Sequence, residues 1–343
     1  MMGSAKQAIA KQARFPRWMR YALTASVWGS LLGGGIAVTG CEEGFDPPSK
    51  LNTLRVLGVQ ADKPYPKPGE TVELRMLWHD GKSPVDAPRP VQIVWIGGCF
   101  NPAGDLYYLC YPQMAEKLSQ IEKDPSLIDK LFGFGDTFSL DIPADIIANR
   151  PAVPGAEPYG LSYVFFAACA GQLAPSEPGD DGLPFGCFDE TGRRLGADDF
   201  VPGYFGLYSF ADRTNDNPIV VGLMINGHLI DPSQEPSFPR CTKGACHDLQ
   251  LRAVVDPESA ETNTGLVDSD GRVLSEQMWV EYLATAGKIE RSPRLVNDAS
   301  KGFNEDNGTA YEPPSEVGKQ YLFAVVRDNR GGVAWVKQGV WFE

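Results

Sequence analysis

Tyr321-Leu-Phe-Ala-Val-Val-Arg-Asp-Asn-Arg-Gly-Gly-Val-Ala-Trp-Val-Lys-Gln-Gly-Val-Trp-Phe342 decides the fold. Tyr321, Phe323 and Val325 alternate into Arg327–Gly332, a turn whose two glycines tolerate positive φ. Ala334, Val336, Gln338, Val340 and Phe342 then return with the same period of two. The stretch reads as a closing β-hairpin, half buried on each strand. Outward from it, Met278, Val280, Tyr282 and Ala284 form one more such strand. Leu249, Leu251, Ala253 and Val255, alternating with Gln250, Arg252 and Val254, form another. Residues 245–343 therefore predict a compact antiparallel β-sandwich. The Pro-rich residues 231–244 before it read as a linker.

A second set of alternating stretches lies upstream: Leu54–Ala61, Thr71–Trp78, Val91 to Trp95, Phe138 to Ile142, Tyr163 to Cys169 and Ile219 to Ile225. Within them Val72, Leu74, Met76 and Trp78 share a face, as do Tyr163, Phe165, Ala167 and Cys169, and Ile219, Val221, Leu223 and Ile225. Turn residues separate the strands, so 53–230 predicts another sandwich. Met114, Leu118, Ile121, Leu127, Ile128, Leu131 and Phe132 recur at helical spacing instead, which predicts a small helical insertion packed on it. The fold class is all-β. Leu54–Ala61, Lys67–Leu74, Asn217-Pro-Ile219, Ala284–Gly287 and Phe323–Trp335 together resemble the tandem Ig-like modules of surface lipoproteins from myxobacteria and related bacteria. That resemblance covers most of residues 54–342 and implies two Ig-like domains, with no catalytic residue to carry over.

The first forty residues are different in kind. They hold Lys6, Lys11, Arg14, Arg17 and Arg20, no acid, and then an uncharged apolar stretch from Tyr21 to Gly40. A basic region followed by an apolar one reads as a secretory signal peptide over residues 1–40. The segment closes on Val38-Thr39-Gly40-Cys41, which resembles the bacterial lipobox. The resemblance implies that Cys41 carries the lipid and begins the mature chain. Glu42 rather than Asp follows, which the same resemblance associates with the outer membrane. Residues 41–52, polar and Pro-containing, read as a tether.

Six cysteines remain: Cys99, Cys110, Cys169, Cys187, Cys241 and Cys246. An even number in an exported chain predicts disulfides. Nearest-neighbour pairing is the simplest arrangement, although sequence alone does not separate the alternatives. Cys241, Cys246 and His247 also stand as C-x4-C-H, a longer relative of the covalent haem motif, which makes mono-haem electron transfer an alternative to a disulfide loop. His79, His228 and His247 lie too far apart in sequence to propose a metal cluster. Asp268-Ser-Asp270-Gly271 has Leu266 and Gln277 where an EF-hand needs ligands, so it reads as a solvated turn. Glu177–Asp181, Asp189–Asp199 and Asn304–Asn307 are candidates for weak calcium.

Composition narrows the functional classes. Of 343 residues, 44 are Asp or Glu and 31 Lys or Arg, giving a net charge of −13. Five of those cations stand in the signal region, so the exported part is still more acidic. A polyanion is repelled by such a surface, which excludes nucleic acid as the partner. No G-x-S-x-G, H-E-x-x-H or Walker A motif occurs, and the expectation is a protein without catalytic residues, cofactor or metal. The sequence-based reading is a lipid-anchored, non-enzymatic surface protein, structural or adhesive. Tyr107, Tyr108, Tyr204 and Tyr208 are candidates for binding a glycan or peptide of the envelope, the competing reading being that these rings fill the core.

Overall fold

Alternating apolar residues fold as expected into strands that bury one face. The computed structural model describes residues 47–121, 124, 128–152, 154–175, 185–262 and 265–343. The expected signal peptide, Cys41, tether residues 41–46, Leu127 and the acidic stretch 177–181 lie outside the described residues, as do the side chains of Leu118 and Ile121. In chain order the elements are β1 (Leu54–Ala61), β2 (Thr71–Asp80), β3 (Gln92–Phe100), α1 (Cys110–Ile121), α2 (Ile128–Leu131), β4 (Phe132–Phe134), β5 (Thr137–Asp141), β6 (Tyr159–Cys169), β7 (Gln172–Pro175), β8 (Phe185–Phe188) and β9 (Phe200–Phe210). They continue as β10 (Val220–Ile225), β11 (His228–Ile230), β12 (Ser237–Phe238), β13 (Leu249–Val255), β14 (Met278–Ala284), β15 (Lys288–Ile289), β16 (Arg294–Asp298), β17 (Gly302–Phe303), β18 (Thr309–Glu312), β19 (Gly318–Asp328) and β20 (Val333–Phe342). No helix among the described residues is long and apolar enough to cross a membrane.

The strands make two Ig-like antiparallel sandwiches. In the first, the sheet β1-β2-β5 faces the sheet β4-β3-β6-β9. Its core centres on Trp95, fully buried between Phe138 and Phe166, with the indole N–H donating to the Gly135 carbonyl at 2.8 Å. In the second, β11-β10-β13-β18-β15 faces β12-β20-β19-β14-β16-β17. All named strand pairs are antiparallel except β12 with β20. Its core holds Leu251, Val280, Tyr282, Tyr311, Val336 and Phe342.

A third apolar cluster joins the sandwiches. Leu51, Leu57 and Leu77 meet Leu283, Phe323, Val325 and Val333. Arg75 lies over the Trp335 ring, 4.8 Å from its centroid. The Gln60 amide donates to Val333 O at 2.6 Å. Asn217 bonds both partners, donating to Ala61 O at 2.6 Å and accepting from the Val333 N–H at 2.9 Å.

This seam corrects the expected boundaries. Residues 47–52 are not tether. The Leu51 N–H donates to Ala284 O and the Ala284 N–H to Ser49 O, both at 3.0 Å, and Leu51 is fully buried. Gly81 permits this, because a Cβ there would run into the Leu51 carbonyl. The boundary near residue 230 also moves. β10 pairs with β13 and β11 with β10, so both belong to the second sandwich. The expected linker 231–244 contains β12, hydrogen-bonded beside β20.

Parity is corrected in three strands. β19 turns Leu322, Ala324 and Val326 into the second core, while Phe323 and Val325 face the seam; a strand buried on both faces defeats a half-buried reading. A register shift between Val220 and Gly222 turns Val221 to solvent, so Ile219 and Val221 are exposed while Leu223 and Ile225 stay in the core. On β6 it is Val164, Phe166 and Ala168 that enter the first core. Tyr163, Phe165, Ala167 and Cys169 face the other side, where the insertions lie.

Candidate functional site

The outer face of the sheet β4-β3-β6-β9 is covered at two places. Near Cys169, the β7–β8 hairpin packs through Cys187, Leu173 and Phe185, held by the Cys169–Cys187 disulfide. Toward the start of β6, residues 101–111 fold over Leu161 and Tyr163. Three devices fix that second cover. Cys110 is disulfide-bonded to Cys99 on β3. Asn101, at φ 48°, exchanges hydrogen bonds with Leu161, its backbone N–H reaching Leu161 O at 2.8 Å and its Oδ1 accepting the Leu161 N–H at 2.9 Å. The Tyr163 hydroxyl donates to Asp105 O at 2.9 Å.

Beside this cover the sheet presents rings. Tyr204 and Tyr208 point outward from β9, and Tyr107, Tyr108 and Tyr111 stand on the fixed segment. Tyr107 stacks on Tyr204 with centroids 4.3 Å apart and planes 16° apart. Tyr108 meets Tyr107 edge-on, Tyr163 meets Tyr204 at 5.6 Å, and Tyr111 leans on Phe165. A second run, Tyr208, Tyr159, Phe210 and Tyr65, continues from the other end of β9. Tyr107 is 37% exposed, Tyr108 48%, Tyr204 48% and Tyr208 40%. Rings that filled a core would be far less exposed, so the competing core-filling reading does not hold. Among the described residues, the hydroxyls of these four and of Tyr111 make no hydrogen bond.

An ion pair stands at the margin of the face. Arg150 pairs with Asp105 at 2.5 Å and lies over the Tyr159 ring, 3.9 Å from its centroid, while the Tyr159 hydroxyl donates to Asp105. That hydrogen bond, together with burial, holds Tyr159 protonated above the ordinary tyrosine range. Tyr163 is raised as well, by burial first and then by Tyr208 and Tyr204.

The other predicted positions fall elsewhere. Cys41 lies outside the described residues. Nearest-neighbour pairing is found at all three cysteine pairs. Cys241 and Cys246 are bonded to each other, and thioether attachment of haem needs both as free thiols. Their sulfurs and a Glu312 carboxylate oxygen lie within 4.8 Å of one another. Asp268 caps its own turn, accepting from the N–H groups of Asp270 and Arg272, and Asp189 does the same with Thr191 and Arg193.

Sequence reasoning missed the titratable groups of the seam. His79 leans on Tyr321 and Phe323, and burial, reinforced by Lys337, lowers its pKa to about 4. Glu276 is completely buried, 3.0 Å from the Arg330 guanidinium; burial, with Asp328 nearby, raises it to about 8. Arg330 also reaches Glu261 at 3.2 Å and the Thr214 carbonyl. The adjacent signal was the turn Arg327–Gly332 and the Asn215-Asp216-Asn217-Pro218 stretch, which meet through Asn215 and Asp328.

No protein-family model matches the chain, and no curated protein matches it. It is similar to parts of several solved structures. One is dimeric latent PorU from Porphyromonas gingivalis, 10% identical over 86% of this chain and 24% of that one, with a TM-score of 0.18. Another is the FN1–FN3 domains of chicken CNTN1, 9% identical over 84% and 64% of the two chains, TM-score 0.18. A third is the fibronectin(III)-like modules of Clostridium thermocellum CbhA, 10% identical over 83% and 93%, TM-score 0.19. This chain spans less than two thirds of the first two. Likeness at this level carries no argument, and the architecture rests on the sheet order itself.

Proposed function

We propose that the chain is an exported bacterial envelope protein, anchored in the outer membrane by a lipid on Cys41. There it acts as a non-enzymatic adhesive module that holds an envelope glycan or protein through the tyrosine face. The observation carrying this reading is the face itself: five tyrosines at least a third exposed, on one side of a sheet, their hydroxyls not hydrogen-bonded by any described residue. A contiguous exposed aromatic surface marks an interaction site, and tyrosine suits one because its ring is apolar and its tip polar. The basic region, the apolar stretch and Val38–Cys41 support export and anchoring. So does the resemblance to myxobacterial surface lipoproteins. The non-enzymatic part is supported by the sequence, which holds no G-x-S-x-G, H-E-x-x-H or Walker A motif.

Two measurements test the reading. Mass analysis of the N-terminus is expected to show a chain that begins at an acylated Cys41, with uncleaved precursor accumulating under globomycin; an uncleaved Met1 in untreated cells overturns the anchor. A photo-crosslinking residue at Tyr108, against one at exposed Val221 on the second sandwich, is expected to trap an envelope component from Tyr108 alone. Equal trapping from both sites overturns the assignment of the face.

A further inference from the structure

We infer that the tyrosine face binds a neutral polysaccharide, laid along β9 across Tyr204 and Tyr208 with the residue 106–111 segment as its wall. This rests on the face being the contact surface proposed above and adds the ligand's chemistry.

Three observations select that class. First, the charges flanking the rings are paired: Asp105 with Arg150, and Glu157 with Arg213 at 2.5 Å. Neither pair offers an anionic polymer a lone cation or a basic peptide a lone carboxylate. Second, the exposed rings carry hydroxyls that no described residue hydrogen-bonds. A purely apolar partner would bury them unpaired, an outcome that recognition surfaces avoid. A sugar ring sets its C–H face on the aromatic face and offers hydroxyls to the phenolic ones.

Third, the spacing fits a chain of sugars rather than one. Tyr204 and Tyr208 are four residues apart on an extended strand, about 13 Å at roughly 3.3 Å per residue. Between them stands Gly206, whose lack of a side chain leaves Tyr163 as the floor, 3.3 Å from where a Cβ would sit. The result is two pillars and a gap. A peptide extending the sheet would instead use the backbone edge of β9, where Pro202 supplies no N–H, and would leave the rings to one side. The disulfide and the Tyr163–Asp105 hydrogen bond hold the wall in place before binding, which lowers the ordering cost.

The full-length chain in detergent is run on native gels containing dextran, laminarin, hydroxyethyl cellulose or galactomannan, and on gels containing alginate or heparin. The expected result is retardation by at least one neutral polymer and by neither anionic one. The apparent Kd is expected to weaken at least tenfold in Tyr204→Ala and Tyr208→Ala, and in Gly206→Leu, which fills the gap with every tyrosine present. Trp341→Ala, at an exposed ring of the second sandwich, is expected to bind as wild type. Selection of Tyr204-dependent peptides from a random-peptide phage library, with no neutral polymer bound, overturns the ligand class and leaves the face as the contact surface. Retardation indifferent to Tyr204→Ala and Tyr208→Ala, or none on any gel, overturns the inference; the first of these also removes the face as the contact surface.

Discussion

The two sandwiches use tyrosine in opposite ways. In the second, Tyr282 and Tyr311 are completely buried and both of their hydroxyls are engaged. Tyr282 Oη accepts the Ala253 N–H at 2.7 Å and donates to Asn307 O at 3.0 Å, and Tyr311 donates to Ala286 O at 2.9 Å. Burial raises the Tyr282 pKa to about 12 and moves Tyr311 in the same direction. In the first, Tyr204 and Tyr208 face water, and no described residue hydrogen-bonds their hydroxyls. A buried phenol needs a partner supplied by the fold, whereas an exposed one leaves its hydroxyl to a ligand. The difference separates tyrosines that stabilise from tyrosines available for contact.

The largest effect should come from breaking the buried side of that contrast. Tyr282→Ala is expected to cost about 3–5 kcal/mol, the range for deleting a large core side chain. Tyr282→Phe should cost about 1–3 kcal/mol, because the buried Ala253 N–H loses its acceptor. Urea unfolding of the full chain measures both. If Tyr282→Ala costs no more than Tyr204→Ala, the contrast fails.

Next comes the device that places the exposed rings. Replacing Cys99 and Cys110 by Ser frees a loop whose closure contributes about 3 kcal/mol. Tyr107, Tyr108 and Tyr111 should become more accessible to tetranitromethane at the same time. The Cys241–Cys246 pair, with a sequence separation of 5, closes a smaller loop; replacing it should cost about 2 kcal/mol and leave those tyrosines unchanged. Equal nitration in the two double variants would sever the link between the first disulfide and the face.

A third test uses acid on the seam that joins the sandwiches. His79 is neutral in the folded chain, with its pKa lowered from 6.5 to about 4. Protonation therefore favours the unfolded chain. Its contribution is complete above about pH 6.5, is lost progressively as pH falls toward 4, and levels off below that. The loss amounts to about 2–3 kcal/mol. His79→Gln removes that dependence, so the wild-type and variant stability curves should converge on acidification. Parallel curves from pH 8 to 4 would show that His79 does not titrate as placed.

Much of the fold was legible because its strands bury one face: Val72, Leu74 and Met76, or Leu249, Leu251 and Ala253, reach the predicted core. The parity misreadings of β6 and β19 share one cause. β6 and β19 are covered on both sides, by insertions and by the seam, so apolar residues of both parities are buried and alternation carries no signal. The linker reading of residues 231–244 failed because a two-residue strand can hydrogen-bond beside β20 while its composition stays Pro-rich. Tyr107, Tyr108, Tyr204 and Tyr208 were legible as candidates, but their meeting was not. It depends on the antiparallel register that sets Phe165 opposite Tyr204 and on the Cys99–Cys110 bond. Tyr111 and the neutral Asp105–Arg150 pair carry no signal in sequence at all.

The smallest stability effect belongs to the face itself and gives the sharpest form of the contrast. Tyr208→Ala removes a ring with one side in water and a hydroxyl that no described residue hydrogen-bonds, so there is no buried partner to strand and little cavity to leave. Its cost is expected within about 1 kcal/mol, as for surface substitutions remote from packing devices. Tyr204→Ala should cost slightly more, because Tyr107 loses its stacking partner at 4.3 Å, a contact worth about 0.5–1.5 kcal/mol beyond area. The ordering Tyr208, Tyr204, Tyr282 is the quantity to measure, by urea midpoint at constant pH. If Tyr208→Ala destabilised the chain as much as Tyr282→Phe, its ring would be structural and the face would lose one of its two pillars.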